Sequence, residues 1–144
     1  MTPRHEAALL YASRGCPVFP CLVGLKQPAV AGGFKAASTD PAQLNAWWGQ
    51  ADYNVAMCPD DIGMFVVDLD GEAGRLSWES YQNLYGSVKT VRVRTPSGGV
   101  HLYFRGEAPS SARRLGAGVD IRGRGGYVLL PPSIVAGVEY AFII

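Results

Sequence analysis

Apolar residues recur at helical spacing over residues 3–15, where Ala7, Ala8, Leu10, Tyr11 and Ala12 form one stripe and Gly15 ends it. Val18-Phe19-Pro20-Cys21-Leu22 is short and continuously apolar, which predicts a strand. Pro20 has no N–H to give a ladder, so that strand belongs at a sheet edge. Residues 24–37 follow neither period and read as a loop carrying Lys26 and Lys35. Thr39 or Asp40 then caps a helix with Pro41 at its first position and Leu44, Trp47 and Trp48 as core and groove wall. Asn54–Met57 predicts a strand, Pro59-Asp60-Asp61 a turn, and Gly63–Asp70 a second, longer strand. Residues 72–85 predict a helix with Leu76, Tyr81 and Leu84 turned inward. Beyond it the period changes to two. Thr90–Arg94 and Val100–Phe104 form a hairpin around Thr95-Pro96-Ser97-Gly98-Gly99. After a polar connection at 105–117, Gly118–Arg122 and Tyr127–Leu130 are expected to pair across Gly123-Arg124-Gly125-Gly126. Pro131-Pro132-Ser133 breaks the sheet, and residues 138–144 supply a last strand.

This succession predicts an α+β fold with a mainly antiparallel sheet flanked by helices. At 144 residues the chain is one domain, 1–144, long enough to bury a core without disulfides or metal. No segment is apolar enough to span a membrane, and Met1–Glu6 lacks the apolar stretch of a secretory signal. The three cysteines, Cys16, Cys21 and Cys58, lack metal-ligand spacing and fit reduced thiols in a cytoplasmic protein. Net charge is only +1, but its distribution is uneven. Residues 89–124 carry eight Lys and Arg against Glu107 and Asp120, whereas acids gather at 60–79. That asymmetry suits a polyanion held over metal ions, and it suits equally a solvated charged face.

The chemistry-bearing stretch is Gly63-Met64-Phe65-Val66-Val67-Asp68-Leu69-Asp70-Gly71, an apolar strand ending in two carboxylates. On a strand Asp68 and Asp70 share one face, with Cβ atoms roughly 6–7 Å apart, while Val67 and Leu69 take the other. Paired carboxylates repel unless a cation lies between them, and oxygen donors suit Mg²⁺ or Mn²⁺. The same residues also read as a strand-to-helix turn with a capping aspartate. His101 opens the second strand of the predicted hairpin, and Asp120 lies two residues before Arg122 on a later strand. Separately these are a satisfied core or edge histidine and a surface ion pair. Gathered over one face of an antiparallel sheet, the acids would hold two divalent ions. His101, Arg122 and the amides of the Ser97-Gly98-Gly99 turn would hold phosphate.

The ordered blocks resemble the bifunctional primase–polymerase (Prim-Pol) domain of the archaeo-eukaryotic primase superfamily. The resemblance runs through Ala7–Ala12 with Gly15, Val18-Phe19-Pro20, Lys26-Gln27-Pro28, Ala37–Pro41, Trp47-Trp48 and Asn54–Met57. It continues through Val67–Asp70, Thr95–Phe104, Gly118–Gly123 and Gly126–Ser133. It implies an RRM-like catalytic sheet and template-directed nucleotidyl transfer with Mg²⁺ or Mn²⁺. Asp68, Asp70 and Asp120 match the metal-binding acids. His101 matches the histidine at the triphosphate, and Arg122 and Lys26 fall where basic residues approach nucleotide or template. One departure is Gly99, where relatives carry serine two residues before the histidine. The implied partners are nucleoside triphosphates, a single-stranded DNA template, and a helicase or accessory domain in trans or in a longer replication protein. Two rivals use the same residues: a non-catalytic nucleotide or single-strand binding module, and a metal-dependent nuclease.

Overall fold

The computed structural model describes residues 1–143, so the end of the predicted last strand, Ile144, lies outside the described residues. Helix α1 (Pro3–Ser13) starts at Thr2, whose hydroxyl accepts from the His5 amide. Strand β1 (Phe19–Cys21) follows, then α2 (Pro41–Gln50), capped by Asp40 through the Ala42 amide at 3.0 Å. Next come β2 (Asn54–Met57), β3 (Met64–Leu69) and α3 (Gly71–Tyr85). The rest is strands: β4 (Arg92–Arg94), β5 (Val100–Arg105), β6 (Ser111–Ala112), β7 (Val119–Arg122) and β8 (Val128–Leu130). Strands β9 (Ile134–Val135), β10 (Val138–Glu139) and β11 (Ala141–Ile143) complete the described chain. The fold is α+β, and the paired strands are antiparallel.

The strands make a three-stranded sheet, β1-β2-β8, a six-stranded sheet, β11-β4-β5-β3-β7-β6, and a small β9-β10 pair. Strand β1, with Pro20, takes the expected edge. In the large sheet β3 is interior, paired to β5 along its whole length and to β7 from Val66 to Leu69. Val66, Val93 and Tyr103 on one face of this sheet join Phe19, Val55, Leu129 and α1 and α2 in the main core. On the opposite face Val67, Leu69, Leu102 and Val119 pack with Trp78 of α3 in a second, smaller cluster.

Several expectations are corrected. Residues 118–122 and 127–130 do not form a hairpin: β7 pairs with β3 and β6, and β8 pairs with β2. The Gly123–Gly126 link is tied instead to the preceding connection, where the Arg124 amide donates to Ala108 O at 2.9 Å. It carries the chain from one sheet to the other, delivering the wholly apolar Val128-Leu129-Leu130 into the main core. The last strand is also interrupted, with Tyr140 turned into the core between β10 and β11. In α3, Leu76, Tyr81 and Leu84 are exposed rather than inward. The helix presents Gly74 to the sheet, where a Cβ would stand 2.6 Å from Gly118 O, so close backbone approach chose the buried face. Leu10 of α1 is likewise exposed, and Ala8 and Ala12 are buried.

A polar clasp ties β2 to the turn after β8. Ser133 Oγ accepts from the Val55 amide at 2.9 Å and donates to Val55 O at 3.1 Å. Asn54, fully buried, donates to Ile134 O and accepts from its amide, both at 2.8 Å. A buried amide left unpaired costs about 1–3 kcal/mol. Ser133→Ala is therefore expected to lower the unfolding free energy by about 1–3 kcal/mol in urea titration, with the m-value unchanged.

Candidate active site

The register of the large sheet brings the chemistry together. Asp68 lies opposite His101 on β5 and opposite Asp120 on β7, so three side chains form a row across adjacent strands on one face. Two residues earlier on that face, Val66 belongs to the main core. The carboxylate therefore stands where the apolar packing stops. Asp68 and His101 are buried and Asp120 is half-buried. His101 Nε2 stands 3.4 Å from Asp68 Oδ1. One guanidinium nitrogen of Arg122 lies 3.7 Å from Asp68 Oδ2 and 3.7 Å from Asp120 Oδ2.

Asp70 follows on the same face, at the N-cap position of α3. Its amide donates to Gly118 O at 2.8 Å, but its side chain makes no capping hydrogen bond. The strand-to-helix turn is thus observed, with Asp70 at its N-cap position and its carboxylate unused as a cap. Its carboxylate instead borders a hollow of about 70 Å³ with Lys26, Asp68, Thr95, Ser97 and His101. A larger hollow of about 270 Å³ is lined by Lys26, Asp68, His101, Arg122, Tyr127 and Tyr140, among others. Lys26, Asp68 and His101 thus lie on both. The loop bearing Lys26 is fixed by the Tyr127 hydroxyl donating to Lys26 O at 2.5 Å and by the Leu22 amide donating to Gln27 O at 2.9 Å.

Burial by itself raises the pKa of Asp68. The His101 interaction, then the charges of His101, Arg122 and Lys26, outweigh that and hold it below the ordinary aspartate value. Burial, with Asp68 and Asp70 nearby, pushes the Tyr140 hydroxyl up to about 12. His101 Nδ1 is buried without a hydrogen-bond partner. The thiols take no part: burial pushes Cys21 and Cys58 up to about 12 and Cys16 to about 11, so they stay protonated at neutral pH.

The sequence pattern of the family described as "Bifunctional DNA primase/polymerase, N-terminal" (Prim-Pol) matches residues 8–143. The chain belongs to this Prim-Pol family. No curated protein matches the sequence. Prim-Pol membership implies a primase or polymerase type of activity, acting on nucleotides and a DNA template. Among the described residues no helix is long and apolar enough to cross a membrane.

Prim-Pol domains typically use divalent metals, which makes the donor set a direct test of this chain. In kind the donors fit, because Asp68, Asp70 and Asp120 offer carboxylate oxygens to a hard cation from one face. In arrangement they are not yet gathered. Among the described residues no three acidic, histidine or cysteine side chains converge to hold an ion. Arg122 rests against two of the three acids instead.

The glycine turn borders both sides of the sheet. The Gly98 amide donates to Thr95 O at 2.9 Å, closing the turn. Ser97 lines the small hollow, whereas Gly98 and Gly99 line a groove of about 780 Å³ on the α3 side of the sheet, shared with Trp78, Val88 and Leu102. That groove is larger than either hollow, yet it lacks Asp68, His101, Asp120 and Lys26. Sequence reading missed Tyr140, whose ring centroid lies 5.8 Å from that of His101, and gave Tyr127 no role. Tyr127 stood in a recognised block, but no local pattern brings Tyr140 to His101, because that depends on β11 pairing with β4.

Gly99 is packed tightly against the end of β3. A Cβ there would lie 2.3 Å from Leu69 O, so no side chain fits without moving β3 from β5. Gly99→Ala is expected to reduce thermal stability and nucleotide affinity together, whereas Gly98→Ala, which meets open space at φ +89, would strain only the turn. Thermal melts and calorimetric nucleotide titration of both variants check this ordering.

Proposed function

We propose that the domain performs template-directed nucleotidyl transfer, with Asp68, Asp70 and Asp120 as the metal-binding acids and His101 and Lys26 against the triphosphate. The observation that supports this best is the row Asp120–Asp68–His101 on adjacent strands of a Prim-Pol domain, bordered by Lys26 and Arg122. A buried carboxylate beside a buried imidazole and two long cationic side chains is poor packing but good chemistry for a polyanion bound with a cation. When bound, Mg²⁺ or Mn²⁺ would neutralise the triphosphate and lower the pKa of the attacking 3′ hydroxyl.

The chain's own groups divide the rest. Lys26, on a loop fixed at both hollows, would hold phosphate by charge. His101 is confined by its strand and by Tyr140, so its ring would orient phosphate oxygens with little freedom to lose. Ser97 would add a hydroxyl donor from the hairpin turn, and Arg122 a cation from β7. Attack by the primer's 3′ oxygen on the α-phosphorus would form the new ester as the bond to pyrophosphate breaks, with the hydroxyl proton passing to water. The template would be a DNA single strand, with a helicase or accessory domain supplying what unprimed initiation needs.

Primer extension on a short primed template tests this reading. Asp68→Asn and Asp70→Asn are each expected to fold as wild type and lose extension by at least about 100-fold. Extension at the wild-type rate in both would contradict the assignment. Strand shortening independent of added nucleotide would favour a nuclease, and tight nucleotide binding without extension a binding module.

A further inference from the structure

We infer that Arg122 is the resident counter-ion of the resting site, standing between Asp68 and Asp120 until a divalent cation displaces it and frees it to move to the triphosphate. This deepens, and rests on, the reading of the Asp68 face as the metal and nucleotide site. Geometry carries it. A single Arg122 nitrogen is equidistant from the two carboxylates, at 3.7 Å from each. That is beyond the 2.7–3.2 Å of an N–H···O hydrogen bond, so charge rather than a forked bond holds the group there. Such a contact separates at small cost.

The three side chains also differ in freedom. Asp68 is short and its side chain only 11% exposed, on a strand paired on both sides, so it cannot follow a ligand. The Arg122 side chain is 44% exposed, at the end of β7, on a long flexible stem. Asp120 is further fixed by accepting from the Arg113 amide at 3.2 Å. The least confined member of the trio is the cation. Its removal would leave two carboxylates facing each other across the β3–β7 pair, an arrangement that calls for another cation.

Coupling follows from this arrangement. A cation entering alone must displace the guanidinium without giving it a new partner, so it binds weakly. A cation arriving with a triphosphate supplies that partner. Each ligand then raises the affinity of the other by the same factor.

Mn²⁺ binding to the intact chain without nucleotide, followed by electron paramagnetic resonance at pH 7.5, tests the inference. Arg122→Gln is expected to bind Mn²⁺ at least about fivefold more tightly than wild type, because a like charge beside the ion has gone. Arg122→Lys keeps the charge and should stay within about twofold of wild type. Circular dichroism melts confirm that each variant is folded. Equal or weaker binding by a folded Arg122→Gln, with Mn²⁺ lost in Asp68→Asn, would overturn the counter-ion inference while leaving the site standing. Undiminished Mn²⁺ binding in Asp68→Asn would overturn the site itself, and this inference with it.

Discussion

Strand β3 is confined on four sides, and the rest of the structure follows from that. It is hydrogen-bonded to β5 and β7, while its faces pack against the main core and against the cluster beneath α3. A strand so enclosed has one permissible register, because a slip of one residue would turn Asp68 into the cluster under α3 and bury Val67 with the main core's residues reversed. The register that keeps Val66 in the core is the one that sets Asp68 between His101 and Asp120. Apolar packing thus fixes the position of groups that packing alone would exclude.

Holding a carboxylate there has an electrostatic consequence. Burial disfavours its charged form, and His101, Arg122 and Lys26 more than offset that penalty. These compensating groups come from β5, β7 and the loop after β1, so the ionised state of Asp68 depends on the assembled fold rather than on any one segment. The same cations suit a triphosphate. A resting site that balances its acids with its own basic side chains avoids bare carboxylates facing each other in the absence of ligand.

Much of this was legible because short-range patterns control it. Alternation along Gly63–Asp70 placed Asp68 with Asp70 and set Val67 and Leu69 opposite, as observed in the two clusters. The hairpin around Ser97 and the Pro41 helix also follow local rules, with Asp40 as the cap. What failed depends on distant partners. The Gly123–Gly126 stretch has the composition of a hairpin turn, yet β7 is claimed by β3 and β8 by β2. The buried face of α3 was misread because Gly74 and Gly118 permit backbone contact that an apolar pattern does not register, leaving Leu76 and Leu84 outside. Tyr140 escaped notice for a related reason, since β11 reaches β4 only through the fold.

The sheet offers a ligand two sides: the charged face with Asp68, and the larger groove beside α3. Amide and side-chain chemical shifts during titration with a magnesium–nucleoside triphosphate complex distinguish them most directly. The site assignment predicts the largest shifts at Ser97, His101, Asp120 and Arg122, with Trp78 and Val88 little changed. Shifts confined to Trp78, Val88 and Leu102 would contradict it and move the nucleotide to the opposite side of the sheet.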